Sequence, residues 1–459
     1  MMIHTRVPLI TAILFTLSAL PAAAATETTL YAFNWAPPPG ALNPGSGPTG
    51  TLLRDASGAL YGATSLGGAY YNGTIFKLTP PAAGQTEWQM SVLYDFTGGF
   101  DGGSPNPTLV MDSSGAIYGT TQSGGSWLNQ GLVFKLTPPA TGHTQWTETV
   151  LHYFYHSYAF GADDGANPSG GLIMDKNGAL YGTTDLGGSI TDPSGIGLGT
   201  VFKLTPVDAG KTTWAETVLY RFNSLADGEN PMFTLTMDAA GALYGSTLYG
   251  GTGPCVDLFS EPVGCGTVFK LTPPVPGQTT WTKTTIHNFT AGADGNMPEY
   301  SLLLDASGAL YGTTYEGGTG ACTDWFSNLV GCGVVFKLTP PAAGHTAWTE
   351  SVLHSFTGPD GAYPQGGLIM DGSGALIGTA SGGGPISYGV VGGYGLVFKL
   401  APPPPGQQSW TETVIYNFDI RTSGSEPVGE LIRDPAGHLF GVTYGGGPTL
   451  GGTIYEIIP

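Results

Sequence analysis

The chain has 459 residues, 75 of them Gly and 36 Pro. With 41% apolar and 11% aromatic residues it has ample material for a core, so this Gly and Pro content does not mark a disordered chain. Fourteen Lys and Arg against 33 Asp and Glu leave a formal charge of −19, which excludes nucleic acid as a partner. Only 10% of residues are charged, which excludes long solvated helices and coiled coils.

Residues 1–25 are expected to be a signal peptide. A short head with one Arg precedes an apolar run over 7–20, which is too short to span a bilayer comfortably. Pro21 and four alanines then supply a helix break and a small-residue cleavage site. No Cys lies near the cut to take a lipid. No later apolar run reaches about 18 residues, so no membrane span is expected in the mature chain. Export follows, either to the periplasm or to the medium.

The rest is a repeat. Leu-Tyr-Gly recurs with its Tyr at Tyr61, Tyr118, Tyr181, Tyr244 and Tyr311, and Ile377 and Phe440 take that place in two looser copies. Six residues earlier stands an Asp: Asp55, Asp112, Asp175, Asp238, Asp305, Asp371 and Asp434. A Gly-Gly pair follows each Leu-Tyr-Gly, then Val-Phe-Lys-Leu-Thr-Pro or a relative. After that come a Trp and a segment like Thr149-Val150-Leu151. Each copy therefore holds four short β segments, A to D, at 171–175, 179–184, 200–205 and 216–222 in the third copy. Asp-x-x-Gly between A and B reads as a tight hairpin, and the prolines after C end that strand. The C and D segments are expected to pair Lys135 with Glu148 and Lys203 with Glu216 across the ladder.

Four strands in each of seven copies predict an all-β, seven-bladed β-propeller, one domain over 26–459. A linear β-solenoid is the alternative. The ends favour the ring. Residues 452–459 form a C segment with no D after it, while 27–33 match the D segment at 148–154. The N-terminal strand is thus expected to complete the last blade and remove free edges.

Asp-x-x-Gly-x-Leu-Tyr-Gly-Thr-Thr-x-x-Gly-Gly, Gly-x-Val-Phe-Lys-Leu-Thr-Pro-Pro and Trp-Thr-Glu-Thr-Val-Leu together resemble the GloVer tandem repeat of exported bacterial proteins. The resemblance covers essentially the whole mature chain and implies export. Members of that family often end in a surface anchor. This chain stops at Pro459 on its last strand, so no anchor is expected.

The B-to-C loops vary most between copies, and binding residues concentrate on such loops. They carry Tyr70, Tyr71, Trp127, Phe259, Trp325, Phe326, Tyr388 and Tyr394, which either stack on a ligand or pack their own loops. The D-to-A loops repeat Asp-Gly-x-x-Pro at Asp101, Asp164, Asp227, Asp294 and Asp360. A turn explains this pattern better than a ring of ligating acids. His152, His287 and His354 share one D-strand place with Tyr and are expected to be structural.

No zinc spacing, nucleophile elbow or phosphate loop is present, so no catalytic residue, metal or cofactor is assigned. Asp163, Glu229, Glu299, Glu316, Arg421 and Glu426 break the repeat without forming a recognisable pair. Cys255 and Cys265 share one loop, and Cys322 and Cys332 occupy the same place in the next. Two local disulfides are expected, with pairing between the neighbouring loops as the alternative. Asp257, Phe259, Asp324, Trp325 and Phe326 would then form a stapled ridge of acids and aromatics.

The leading expectation is an exported, monomeric, non-enzymatic propeller binding a glycan or an extracellular protein through its variable loops. The alternative is a hydrolase or lyase acting on extracellular polysaccharide with acids from several blades.

Overall fold

The computed structural model describes residues 25–37, 42–106, 108–155, 164–188, 197–208, 213–256, 261–324, 327–385 and 393–459. The segment 1–24 and the residues Asp163, Asp257, Phe259, Trp325, Phe326 and Tyr388 lie outside the described residues. Seven antiparallel sheets form seven blades in a ring, the predicted all-β propeller. The B strands number the blades: Leu60–Leu66, Ile117–Ser123, Leu180–Thr184, Leu243–Thr247, Leu310–Glu316, Leu376–Ala380 and Leu439–Gly445. Blade 3 shows the plan, with A (Ile173–Met174), B, C (Thr200–Pro206) and D (Trp214–Arg221) in that order across the sheet. Blade 7 is built from Ser425–Arg433, Leu439–Gly445, Leu450–Ile458 and the N-terminal strand Thr26–Asn34. There Thr26 pairs with Ile458 and Thr28 with Glu456.

The repeat's sequence explains this packing. Every residue of Leu180–Thr184 is buried, as a strand covered on both faces requires. The glycine of Leu-Tyr-Gly lies under the Phe of strand C. A Cβ on Gly182 would stand 2.6 Å from the Phe202 ring, so nothing larger fits. Each such ring meets an aromatic at the end of strand D of the preceding blade, edge to face. The seven pairs are Phe33–Phe76, Phe96–Phe134, Phe154–Phe202, Phe222–Phe269, Phe289–Phe336, Phe356–Phe398 and Phe418–Tyr455. Each contributes about 0.5–1.5 kcal/mol beyond its buried area. One pair sits at every blade interface, and Phe33 supplies the contact from blade 7 to blade 1.

The C and D strands are out of the expected register. Lys135 faces Thr149, and Glu148 faces Leu136; Lys203 faces Thr217, and Glu216 faces Leu204. A slip of one residue sends a side chain to the other face of a strand. Each lysine instead lies over a strand-B tyrosine, Lys135 on Tyr118 and Lys203 on Tyr181.

Both disulfides are the local ones, Cys255–Cys265 and Cys322–Cys332, with Cys265 and Cys332 fully buried. Among the described residues no helix is long and apolar enough to cross a membrane.

Candidate functional site

The repeated acids of the D-to-A loops are turn residues. Asp101 accepts hydrogen bonds from the Thr97 amide (2.9 Å) and the Tyr94 hydroxyl (3.3 Å). Asp164 accepts from the Tyr155 amide (2.7 Å) and pairs with His152 (2.9 Å). Asp360 does the same with the Thr357 amide (2.8 Å) and His354 (3.1 Å). Asp227 takes the Tyr220 hydroxyl, and Asp294 faces His287 at 3.6 Å. Each loop acid therefore faces a His or Tyr at the end of strand D and closes the turn that leads from one blade to the next. Among the described residues no group of three His, Cys, Asp or Glu could hold a metal ion.

The variable face is different. On the loops of blades 1 and 2 four aromatic side chains stand in water: Trp127 is 94% exposed, Tyr71 78%, Phe100 62% and Tyr70 57%. Phe100 and Trp127 meet edge to face, 6.2 Å apart, although they come from different loops. Both B-to-C loops are fixed from below. Asn72 Nδ2 donates to the carbonyls of Tyr70 and Thr97, and its own carbonyl accepts the Ser104 amide of the next blade. Asn129 Oδ1 accepts from the Gly124 amide, while the Asn129 amide donates to Ser126. Tyr71 (φ 61°) and Asn129 (φ 57°) hold left-handed backbone, a strain kept only where surroundings enforce it.

The remaining predicted residues divide. Tyr394 is partly buried against the core between blades 6 and 7, which is the packing reading. Asp324 accepts from the amide and the side chain of Asn328, at 2.8 and 2.9 Å, and so ties down its own cystine loop.

The seven A segments surround a central cavity of about 600 Å³. Much of its wall comes from the tripeptides that follow the repeated proline, among them Thr49, Thr51, Asn106, Thr108, Phe233, Tyr300, Ser301 and Glu430. In sequence the seven tripeptides read Thr49-Gly50-Thr51, Asn106-Pro107-Thr108, Ser169-Gly170-Gly171, Met232-Phe233-Thr234, Glu299-Tyr300-Ser301, Gln365-Gly366-Gly367 and Val428-Gly429-Glu430. Phe233 and Tyr300 stack at 5.5 Å. Ser301 Oγ donates to Glu430 Oε2 at 2.8 Å. Burial pushes Glu430 above its ordinary value, with the Ser301 hydrogen bond opposing.

Glu299, next to Tyr300, is pushed up to about 7, chiefly by burial, while Gln365 Nε2 donates to it at 3.2 Å. Tyr315 and Tyr363 lie 4.9 Å apart nearby. Of the symmetry-breaking residues, Glu299 alone among those described lies in a channel tripeptide.

Phe233, Tyr300, Ser301 and Glu430 were not singled out from sequence. The available signal was a tripeptide that differs in every copy between a constant Pro and a constant Leu.

Comparison with known proteins supports the repeat. Among solved structures, an X-ray structure provisionally described as a gluconolactonase shares 14% identity over 95% of this chain and 92% of that one (TM-score 0.37). A protein of unknown function from Dyadobacter fermentans shares 12% over 77% of this chain and 94% of that one (TM-score 0.41). No curated protein matches. The Gloeobacter/Verrucomicrobia repeat matches at residues 12–259, 147–326 and 259–459, which together take in nearly the whole chain. The chain therefore belongs to the Gloeobacter/Verrucomicrobia repeat family, and its seven repeats are the seven blades of one propeller.

Proposed function

We propose that this protein is an exported, non-enzymatic propeller that binds a neutral polysaccharide on its variable face, on the Tyr71, Phe100 and Trp127 platform. The observation that carries the reading is the exposure of Trp127. An indole left in water on a tightly tied loop, touching only one neighbouring ring, contributes little to folding, but it offers a flat apolar face to sugar C–H groups. The loops are ordered in advance, so little entropy is lost on binding. Asn72 and Asn129, both neutral, tie the loops that carry the rings. The charge of −19 works against an acidic polysaccharide. The two cystines suit an oxidising compartment.

Affinity electrophoresis of chain 25–459 through gels holding neutral polysaccharides tests this. Trp127→Ala is expected to weaken retardation at least tenfold and to leave the melting temperature unchanged. Equal retardation of the two proteins would refute the platform.

Glu299 favours a second reading, a hydrolase or lyase with this carboxyl as proton donor. A carboxyl held at about 7 is protonated often enough to serve as an acid near neutral pH. Release of reducing ends or unsaturated products by the wild type, abolished in Glu299→Gln, would establish it.

A further inference from the structure

The central cavity holds a feature that neither the repeat nor the outer platform uses. The last residues of the channel tripeptides are Thr51, Thr108, Gly171, Thr234, Ser301, Gly367 and Glu430, and all but Gly367 line the cavity. Four hydroxyls and one carboxylate thus face the space from different blades. Gly367 completes a cradle, because a Cβ there would stand 2.8 Å from Glu430 Oε2 and 2.9 Å from Ser301 Oγ. Among the described residues no Lys or Arg lines the cavity. Glu430 is held by one neutral hydroxyl, which leaves its charge poorly compensated for so buried a group.

The shape and chemistry restrict the occupant. An anion would meet Glu430 with no cation to offset it. A divalent metal takes six to eight oxygens, several of them charged, and a single carboxylate is a weak basis for such a site. A cavity of about 600 Å³ is also of small-molecule size rather than ion size. The hydroxyls suit a ligand that itself carries hydroxyls. The Phe233–Tyr300 stack suits a carbon skeleton bearing a positive charge.

We propose that the channel is a second binding site, for a small hydroxylated organic ammonium ion whose ammonium rests on Glu430 and Ser301. The site is independent of Trp127, so it stands or falls apart from the polysaccharide reading.

Isothermal titration of chain 25–459 near neutral pH with glucosamine, N-acetylglucosamine and potassium chloride tests it. The two sugars share a ring and differ in whether the nitrogen is charged. Saturable binding is expected for glucosamine alone, weakened at least tenfold in Glu430→Gln and unchanged in Trp127→Ala. Should Glu430→Gln unfold the protein, Gly367→Ala decides, since its methyl fills the cradle and is expected to weaken glucosamine binding. Four results would overturn the proposal: no saturable binding to the wild type, equal binding of N-acetylglucosamine, displacement of glucosamine by millimolar potassium, or full binding by the folded variants.

Discussion

Glu148, Glu216, Glu350 and Glu412 occupy one repeated place on strand D, and each has a carboxylate oxygen buried without a hydrogen-bond partner. Burial pushes all four up to about 7, and for Glu148 and Glu350 a loop Asp carboxylate, Asp101 or Asp294, adds to it. In the fourth copy Lys283 stands at this place and pairs with Asp227 at 2.8 Å, which shows what the interface would accept. The sign of the pH effect follows. Between the ordinary 4.5 and about 7 the folded chain keeps protons that the unfolded chain has released. Stability is therefore highest at the acid end of that window and falls as pH rises through it. Below the window a different set opposes. At Asp55 burial is outweighed by hydrogen bonds from Ser57, Tyr61 and nearby amides, so its contribution is lost as the pH drops beneath its ordinary range. Glu350→Gln is expected to raise the melting temperature at pH 8 and to leave it nearly unchanged at pH 5. The gain is on the order of 1 kcal/mol once solvent screening of a half-exposed group is allowed for. Thermal melts at the two pH values check this, and an equal change at both would contradict it.

At the scale of the element, hairpins and strand ends were legible because their chemistry is local. Asp175 accepts the Asn177 and Ala179 amides at 2.8 and 2.9 Å, as the Asp-x-x-Gly spacing implies, and a cystine needs only two cysteines on one loop. Register was not legible between C and D. The Pro-rich connection keeps one length in every copy but is too long to act as a tight turn that dictates pairing, and strand D carries a bulge between the partners of Val133 and Phe134, leaving Leu151 extra. Lysine and glutamate of the repeat thus fall on opposite faces. The cystine loops offer the element-scale prediction. Each bridge joins residues ten apart and anchors a variable loop to a buried sulfur. Replacing Cys322 and Cys332 together by Ala is expected to cost about 3 kcal/mol and several degrees of melting temperature. Treatment of the wild type with reductant is expected to do the same, and a melt indifferent to both would show that the bridge adds no stability.

At the scale of the whole molecule, seven blades could be counted from a sequence period, but the channel could not be read from it. Phe233 and Tyr300 lie 67 positions apart and stack only because the ring brings all the A segments to one axis. Nothing local in Glu299-Tyr300-Ser301 marks it as different from a loop. The same geometry places the outer platform on two adjacent blades and fixes its loops to a rigid body. Both binding proposals therefore depend on a closed ring. Closure itself depends on Thr26–Asn34, which covers the edge of Leu450–Ile458 and carries Phe33 to Phe76. The most direct test removes residues 26–34 and compares the product with chain 25–459 by size-exclusion chromatography with light scattering and by thermal melting. A ring closed in this way predicts aggregation through the uncovered strand edge and a melting temperature lower by ten degrees or more. A shortened chain that elutes and melts as its parent does would contradict it.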